Sequence, residues 1–496
     1  MYKKLCMFLM VVCGSTKNAC SLPGTLDTTF NAGGVQPGTV STTIDNNLAN
    51  NQGFSVAMQQ DGKIVVAGSA TISGVDRFAI ARFNADGTLD TTFNASSLTQ
   101  PGTVTTTIEN TAGPCVAQSV AIQQDGKIVV AGYADLGSGN RFAVARFNTD
   151  GTLDTTFNPA PAPQPGTVST TIDNDPTSNT GSSVVIQQDG KIVVAGNAVI
   201  GSETRFAVAR FNTDGTLDTT FNPAPAPQPG TVSTTVDNSA TSVGFSVAMQ
   251  QDGKIVIAGY AVIGSGVLFG AARFKADGTL DTTFNAGGVQ PGTVTTTIDN
   301  DPTSNTDLSV AIQQDGKIVV AGSSVIGSEN RFAVARFNVN GTLDTTFNAS
   351  SPTQPGTVTT TIDNNSSSVG VSVAIQQDGK IVEVGYTALG GIVGRFAVAR
   401  FNTNGTLDTT FNAGGIQPGT VSTTIENAPG TCIAQAVAIQ QDGKIVAAGY
   451  VEMSGGNRFA VARFLGGTTK KSSIATNNLC ALRLIEKYGP RLAARV

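Results

Sequence analysis

The tetrapeptide Gln-Asp-Gly-Lys recurs seven times along this 496-residue chain. Its aspartates are Asp61, Asp125, Asp189, Asp252, Asp315, Asp378 and Asp442, so that successive copies lie 63 or 64 residues apart. A period of this length, filled with short β-type segments and turns and lacking a helical pattern, indicates one supersecondary unit copied seven times. The repeats run from about residue 24 to residue 464 without a linker, so a single large repeat domain is predicted.

Each repeat contains four segments with the character of β-strands. In the second repeat they cover residues 119–123, 127–132, 141–147 and 167–172, and the first two flank Asp125 and Gly126. An Asp-Gly pair between two strands predicts a two-residue hairpin loop, whose positive φ angles match the strand twist. The second segment is apolar on both faces, which indicates that neighbouring sheets cover each sheet on both sides.

Four-stranded sheets stacked face to face in a closed ring form the blades of a β-propeller. The first repeat holds only a connector and a fourth strand at residues 39–44, whereas the last, at residues 435–464, holds only strands one to three. We therefore predict an all-β, seven-bladed β-propeller with four antiparallel strands per blade, closed by the N-terminal strand pairing into the last blade. An open solenoid is the alternative, although it would need polar capping repeats that we do not find.

The two ends of the chain differ in character from the repeats. Lys3 and Lys4 precede an apolar run at residues 5–12 that is too short to span a bilayer, so residues 1–19 are predicted to be a secretory signal peptide. The propeller is then assigned to residues 20–464. Residues 465–496 form a basic tail, in which residues 478–488 could form a short helix or remain a frayed terminus.

Composition excludes several classes of function. Residues 20–464 carry 21 Lys and Arg against 34 Asp and Glu, so nucleic acid and anionic membrane surfaces are not expected as partners. The chain has no histidine, which excludes Ser-His-Asp and Cys-His catalysis and the usual His-based metal sites. The six cysteines show neither a disulfide framework nor metal-type spacing, and no phosphate-binding loop precedes a helix. No cofactor or metal is therefore predicted.

The segments QQDGKIVVAG, RFAVARFN and GTLDTTFN resemble the delta-60 repeat family of predicted bacterial β-propellers. The resemblance covers nearly all of residues 22–464. It implies a propeller in a bacterial, usually exported protein, but it implies no known reaction and provides no catalytic residues. Because a typical blade is shorter than 63 residues, the connector that contains LDTTF could itself pair as a strand.

An arginine of RFAVARFN and the aspartate of LDTTF recur together in all seven repeats. We interpret the pair as structural, because catalytic groups are usually unique and a half-buried arginine needs a partner. The hypothesis is that each arginine binds one of these aspartates, within its own blade or in the next. The residues are Arg82, Arg146, Arg210, Arg273, Arg336, Arg400 and Arg463, with Asp27, Asp90, Asp154, Asp218, Asp281, Asp344 and Asp408.

Two loop classes vary between otherwise near-identical repeats: the loops joining strands two and three, and the loops joining strand four to the next blade. In a propeller both classes lie on one face around the channel mouth, opposite the Asp-Gly hairpins. Four tyrosines placed in the first loop class are the candidate ligand-binding residues, since aromatic rings could stack on a sugar or peptide; packing over a neighbouring blade is the alternative. They are Tyr133, Tyr260, Tyr386 and Tyr450, and the nearby Asp135, Glu203, Glu329 and Glu452 favour a neutral or cationic ligand.

Two further features of the sequence are candidates for an acid–base site and a calcium site. Glu383 stands where the other repeats have Val, Ile or Ala, so it could act as a solitary acid or base, or could reach a polar edge or an arginine. The segments 173–181 and 299–307 begin Asp-Asn-Asp, but they lack the third acid, the central glycine and the closing glutamate of the helical calcium loop. Oxygen-rich loops can still bind Ca²⁺ weakly, but Asp-Pro and Asn-rich turns are ordinary connectors, and we interpret both segments as turns.

These features predict an exported, non-catalytic binding or surface scaffold, secreted or in the bacterial cell envelope (periplasm or cell surface). It would recognise an extracellular protein or glycan through variable loops on one propeller face, as a monomer with no membrane span after signal removal. A carboxylate-dependent carbohydrate-active enzyme, hydrolase or lyase, is one alternative, because such chemistry needs only two acids. A purely structural envelope protein is the other.

Overall fold

The computed structural model describes residues 22–302, 305–365, 367–389 and 392–467. The predicted signal peptide at residues 1–19 and the predicted helix at residues 478–488 lie outside the described residues. Within the described ranges, no helix has the length and apolar character needed to cross a membrane. This part of the chain forms 28 β-strands in seven four-stranded antiparallel sheets.

Each sheet is one blade, and its strands are ordered from the centre of the ring to its rim. The innermost strands, which contact one another around the axis, are β2 (Asn51–Met58), β6 (Cys115–Ile122), β10 (Ser178–Ile186), β14 (Ser242–Met249), β18 (Asn305–Ile312), β22 (Ser368–Ile375) and β26 (Cys432–Ile439). The second strands are β3 (Ile64–Ile72), β7 (Ile128–Asp135), β11 (Ile192–Ile200), β15 (Ile255–Ile263), β19 (Ile318–Ile326), β23 (Ile381–Leu389) and β27 (Ile445–Met453). Blades are numbered one to seven in this order.

The outer half of each blade consists of a long and a short strand. The third strands are β4 (Val75–Phe83), β8 (Asn140–Phe147), β12 (Glu203–Phe211), β16 (Gly266–Phe274), β20 (Glu329–Phe337), β24 (Ile392–Phe401) and β28 (Gly456–Phe464). The rim strands are β5 (Thr103–Thr106), β9 (Thr167–Thr170), β13 (Thr231–Thr234), β17 (Thr293–Thr296), β21 (Thr357–Thr360), β25 (Thr420–Thr423) and, in blade seven, β1 (Thr39–Thr42).

The ring closes through blade seven, which contains both ends of the repeat region. Strand β1 pairs antiparallel with β28, with Val40 opposite Val461, and β2 contacts β26 across the joint. The backbone N–H of Gly24 donates to the carbonyl oxygen of Leu465 at 2.6 Å. The seven-bladed propeller and its closing strand are thus confirmed, and the open solenoid is wrong.

The core consists of separate layers between neighbouring sheets. Successive residues of a second strand point to opposite neighbours: Val65 packs toward blade two, where it meets Val130, and Val66 packs toward blade seven, where it meets Val446. Every second strand is therefore apolar on both faces, because both faces are buried against another sheet.

The Asp-Gly hairpins differ from the prediction by one residue. Gln59 and Lys63 close the first hairpin through a 2.9 Å hydrogen bond, so the loop has three residues, and Gly62 N–H donates back to the Gln59 carbonyl oxygen. Of the three loop residues, only Gly62 has a positive φ, of 84°. A type I turn followed by a left-handed glycine produces this loop, and Asp61 contributes by accepting from the Lys63 N–H at 3.1 Å.

The connectors after the third strands do not add a fifth strand to the described sheets. Leu89 makes a single bridge to Phe83, and the chain then turns into the rim strand. The rim is linked from blade to blade by an acidic residue that accepts from a hydroxyl or an N–H of the next rim strand. Thr105, in the rim strand of blade one, donates its hydroxyl hydrogen at 2.8 Å to Asp45, which follows the rim strand of blade seven. Between blades six and seven, the Ser41 hydroxyl donates to Glu426 at 2.6 Å.

Candidate functional site

The two faces of the ring carry different loops. The hairpins and the connectors after the third strands lie on one face, which we call the hairpin face. The turns between second and third strands and the loops leading to the next blade lie on the other, which we call the loop face. These two classes touch each other, as in the 2.7 Å hydrogen bond from Glu452 N–H to the Thr431 carbonyl oxygen. Their predicted placement on one face is confirmed.

The hairpin face carries the repeated ion cluster. In blade three, Arg210 Nε lies 2.7 Å and Lys191 Nζ 2.9 Å from the same oxygen, Oδ2 of Asp218. The Arg210 guanidinium also donates to the Ala276 carbonyl oxygen of the next blade and lies 4.6 Å from the centre of the Phe221 ring. The same arginine–aspartate contact, at 2.7–2.9 Å, occurs in all seven blades and confirms the clamp hypothesis.

The clamped aspartates are held in the ionised form. Burial by itself raises the pKa of Asp218, but hydrogen bonds from Thr220 and Lys191 and the charge of Arg210 outweigh it and hold the pKa at about 2. The pKa values of Asp90, Asp344 and Asp408 are also about 2, for the same kinds of reason. A permanently charged, fully partnered carboxylate is a structural group, so the hairpin face offers no acid or base from this cluster.

The four candidate tyrosines lie in second strands and not in the first loop class where the sequence had placed them. The ladder to the third strand continues past them, since Ala134 still pairs with Arg141, and this shortens the loop to a tight turn. All four side chains are half-buried. Burial, with a smaller contribution from Asp76, raises the pKa of Tyr133, and burial with Glu452 does the same for Tyr450.

The tyrosines have different surroundings. Tyr133 borders the cavity on the propeller axis, together with Thr180 and Asn197 of blade three. The ring centre of Tyr260 lies 5.7 Å from that of Phe245 on the innermost strand of its own blade. The structure therefore brings Tyr133 to the axial cavity, and the four tyrosines belong to four different blades.

The axial cavity has a volume of about 480 Å³ and is lined by all seven innermost strands. Each of these strands shifts register at the same place, for example between Gly53 and Ser55 of β2. Such a β-bulge re-aims a side chain. The side chains at the shifts line the cavity and are Phe54, Gln118, Ser182, Phe245, Leu308, Val371 and Gln435.

Sequence reasoning missed this ring of bulged residues. The signal was present, because the position varies among Phe, Gln, Ser, Leu and Val while the following Ser-Val pair is nearly constant. A bulge, however, is defined by the register of two paired strands, and the pattern of a single strand does not show it.

A ring of serines joins the innermost strands beside these bulges. Each serine hydroxyl accepts from the backbone N–H of a valine in the next blade, and this covers an otherwise open sheet edge. The six pairs, at 3.1–3.3 Å, are Val120 to Ser55, Val184 to Ser119, Val247 to Ser183, Val310 to Ser246, Val373 to Ser309 and Val437 to Ser372. The seventh joint has Ala436 at the serine position, opposite Val56.

A second cavity, of about 830 Å³, opens on the loop face of blade seven. Its wall is the loop from Glu426 to Thr431 and the turn that contains Glu452, with Arg458 beside them. Elsewhere on this face the acidic residues are partly neutralised, since Glu203 pairs with Arg205 at 2.7 Å and Glu329 with Arg331 at 2.6 Å.

Glu383 reaches neither a polar edge nor an arginine, contrary to one expectation from the sequence. Its side chain is fully buried between blades five and six, and neither carboxyl oxygen hydrogen-bonds to a described residue. A Cβ atom on Gly370 would lie 2.1 Å from Oε1, so only a glycine leaves room for the carboxyl. Burial raises the pKa of Glu383 well above its usual range, although backbone groups of Ala333 and Gly322 oppose this in part.

The Asp-Asn-Asp segments serve as turns in the described part of the chain. Asp173 accepts from the Ser233 hydroxyl at 2.5 Å on the neighbouring rim strand, and Asp175 accepts from the N–H and hydroxyl of Thr177. Among the described residues, no three His, Cys, Asp or Glu side chains are grouped so that they could hold a metal ion.

Comparison with protein families matches a β-propeller domain of unknown function, DUF5122, at residues 59–93, 123–157, 187–221, 250–284, 313–347, 376–411 and 440–466. No curated protein matches the chain. Similar solved structures include the polysaccharide lyase Uly1, 12% identical over 84% of this chain and 90% of its own, with a TM-score of 0.45. They also include Drosophila semaphorin 2a, 11% identical over 86% of this chain and 75% of its own, with a TM-score of 0.44. These two likenesses carry no argument about function.

Proposed function

Because this chain carries the DUF5122 β-propeller domain in seven copies across its length, we propose that it is an exported, non-catalytic binding scaffold that recognises an extracellular protein or glycan through its loop face. One observation carries the proposal: the residues that differ between repeats gather on the loop face and at the axis, whereas the hairpin face repeats the same ion cluster seven times. Variable loops on a rigid framework are a common arrangement for recognition.

The cavity in blade seven is the part of the loop face that we assign to a partner. Glu426 is held by Ser41, whereas Glu452 is exposed and Arg458 is half-buried, so charges of both signs line one concave surface. A surface of this kind suits hydrogen-bonding partners such as peptides and glycan hydroxyls.

Catalysis is not part of the proposal. The one acid at an apolar position, Glu383, is sealed between two blades, and the clamped aspartates each have several partners. A glycosidase-type mechanism needs two carboxyl groups on either side of a substrate. No such pair lines the axial cavity, whose described side chains are all uncharged. The blade-seven cavity does have two carboxyl groups, but Glu426 is held by the Ser41 hydroxyl, and we assign Glu452 to partner binding.

The experiment is to probe glycan and extracellular-protein arrays with the whole chain and to titrate each partner found. Glu452→Gln, which removes a charge from the loop face, should weaken binding at least threefold. Asp125→Asn removes the same charge from an exposed hairpin turn, where an amide oxygen can still accept from Lys127, and should leave binding unchanged. Tyr133→Phe and Tyr450→Phe then test the tyrosine hydroxyls without removing the packed rings.

Two outcomes would overturn this function. The absence of any partner on both arrays would favour the purely structural envelope protein. If Asp125→Asn weakened binding and Glu452→Gln did not, recognition would lie on the hairpin face and not on the loop face. Export is tested separately by mass spectrometry of the protein recovered outside the cytoplasm of a bacterial host, where the chain should lack residues 1–19 and sediment as a monomer.

A further inference from the structure

We propose that the axial cavity is a second binding site, for a small neutral saccharide, independent of recognition by the loop face. The cavity of about 480 Å³ falls within the range of sites that enclose small molecules, on the order of 300–1,000 Å³. It lies where all seven blades meet, so one ligand there would contact several blades at once.

In blades one to three the residue at the bulge belongs to no core cluster, whereas Phe245 and Leu308 pack in the core between blades four and five. The backbone makes the same register shift with Phe54, Gln118 and Ser182 in three different blades. The serine that follows the bulge already covers the sheet edge, and the valine after it fills the core. In these three blades the side chain at the bulge is therefore free to vary, and it varies where all seven blades meet.

The charge of the cavity restricts its ligand. All the described residues that line it are uncharged, and they include Gln118, Gln435 and Asn197. A charged ligand would lose its hydration there without gaining an opposite charge from the described residues, which disfavours its binding. The ligand should therefore be neutral.

The arrangement of the lining residues favours a ligand with a polar edge and an apolar face. Phe245, Leu308 and Val371 come from three consecutive blades and form an apolar arc. Ser182 and Gln118 lie on the opposite arc, with Gln435 at its other end. No described residue hydrogen-bonds the side-chain amide of Gln118 or Gln435, so both can bind hydroxyl groups as donor and acceptor.

The closing joint adds a further polar group beside this arc. Val56 has Ala436 opposite it, where its six counterparts meet a serine hydroxyl, so its N–H has no such acceptor. Phe54 and Gln435 are the bulged residues on either side of this joint. A pyranose ring presents C–H groups to an aromatic ring on one side and hydroxyls around its edge, which matches a phenyl ring and an amide.

The test is calorimetric titration of the whole chain with neutral mono- and disaccharides and with the matching uronic acids and amino sugars. Ser182→Phe narrows the cavity with the side chain that blades one and four already carry at this position. We expect a neutral saccharide to bind one per chain, at least tenfold more tightly than its charged analogues, and Ser182→Phe to weaken it at least tenfold. Phe54→Ser, which takes the residue of blade three, should also weaken it, and Asp125→Asn should not.

Three results would each overturn the inference. The first is that none of the neutral saccharides binds, and the second is that the charged analogues bind equally tightly. The third is that Ser182→Phe, with an unaltered melting temperature, binds the saccharide as tightly as the wild type. Glu452→Gln tests the affinity for partners of the loop face, and Ser182→Phe tests the affinity for saccharides in the axial cavity. Either proposal can therefore be contradicted without the other.

Discussion

Glu383 is an acidic residue at a position that is buried and apolar in the other six blades. Six blades place Val66, Val130, Val194, Ile257, Val320 or Ala447 at this position, in the layer between two sheets. In blade six a carboxyl group takes the same place and has no hydrogen-bond partner among the described residues. A buried polar group without a partner costs about 1–3 kcal/mol, so this joint is expected to be weaker than its counterparts.

We expect Glu383→Val to stabilise the protein at pH 7 by about 1–3 kcal/mol, because it removes this cost and restores the side chain of the other blades. The raised pKa means that the folded state holds the proton more tightly than the unfolded chain. The part of the penalty that comes from ionisation is therefore absent below the usual pKa of 4.5 and grows as the pH rises above it. The neutral carboxyl group has no described hydrogen-bond partner at any pH, so that part of the cost remains. Glu383→Gln has nearly the same size, and its free energy of unfolding in urea should increase relative to that of the wild type as the pH rises above 4.5. A difference between the two proteins that does not change with pH would contradict the explanation.

Ala436 is the one gap in the ring of serines. We expect Ala436→Ser to raise the free energy of unfolding by about 0.5–1.5 kcal/mol, because the new hydroxyl can accept from the Val56 N–H as in the other six joints. The matched control is Ser246→Ala, which removes the 3.2 Å bond to Val310 and should destabilise by a similar amount. Urea unfolding measures both, and a neutral or negative effect of Ala436→Ser would show that the closing joint has a different geometry.

At the scale of the element, each third strand is fixed to the next blade by its arginine. The guanidinium joins a carboxylate of its own connector, a carbonyl of the next blade and a phenyl ring. This arrangement satisfies a charge that would otherwise be costly to bury.

Arg210→Ala is predicted to destabilise the protein by about 3 kcal/mol, because Asp218 is left buried with only Lys191 and Thr220 as partners. Arg205→Ala in the same strand is the control. It breaks a more exposed pair with Glu203, at 2.7 Å, and should cost less than about 1 kcal/mol. The melting temperatures of the two variants give the comparison, and equal effects would remove the special role of Arg210.

The repeat pattern predicted the elements better than their ends. Seven copies of four strand-like segments determine the blades, and the out-of-phase ends determine closure. The hairpin was predicted with two loop residues instead of three, because an Asp-Gly pair fits both loops and the difference lies in which residues pair across it. Tyr133 was placed in a loop for a similar reason: where a strand ends depends on its partner, and Arg141 extends the ladder beyond it.

At the scale of the whole molecule, the loop face collects differences that are far apart in the sequence. The position of the loops could be predicted, because alternating strand direction sends two loop classes to one face. The axial cavity could not, because it exists only when seven bulges from seven blades meet around one axis. The clamp, by contrast, was visible in the sequence as a charged pair repeated without exception.

The closing joint can be tested directly with a cross-strand disulfide. Val40→Cys with Val461→Cys should form one on oxidation, since the two residues are opposite each other in β1 and β28. Closing so long a loop should stabilise the protein by about 4 kcal/mol. Mobility on a non-reducing gel and the melting temperature measure the two effects. Val40→Cys with Val398→Cys, the equivalent position of blade six, should not cross-link, and its cross-linking would contradict the pairing.

The pairing of β1 with β28 has a consequence for the order of events during synthesis. Strand β1 is synthesised first but cannot pair until β28 has been synthesised, because β28 is the last strand of the repeats. Throughout translation the nascent chain can stack finished blades side by side, but it holds one unpaired edge that is open to other chains. Ring formation is thus a late, single step, and a prematurely terminated chain has no means of reaching it.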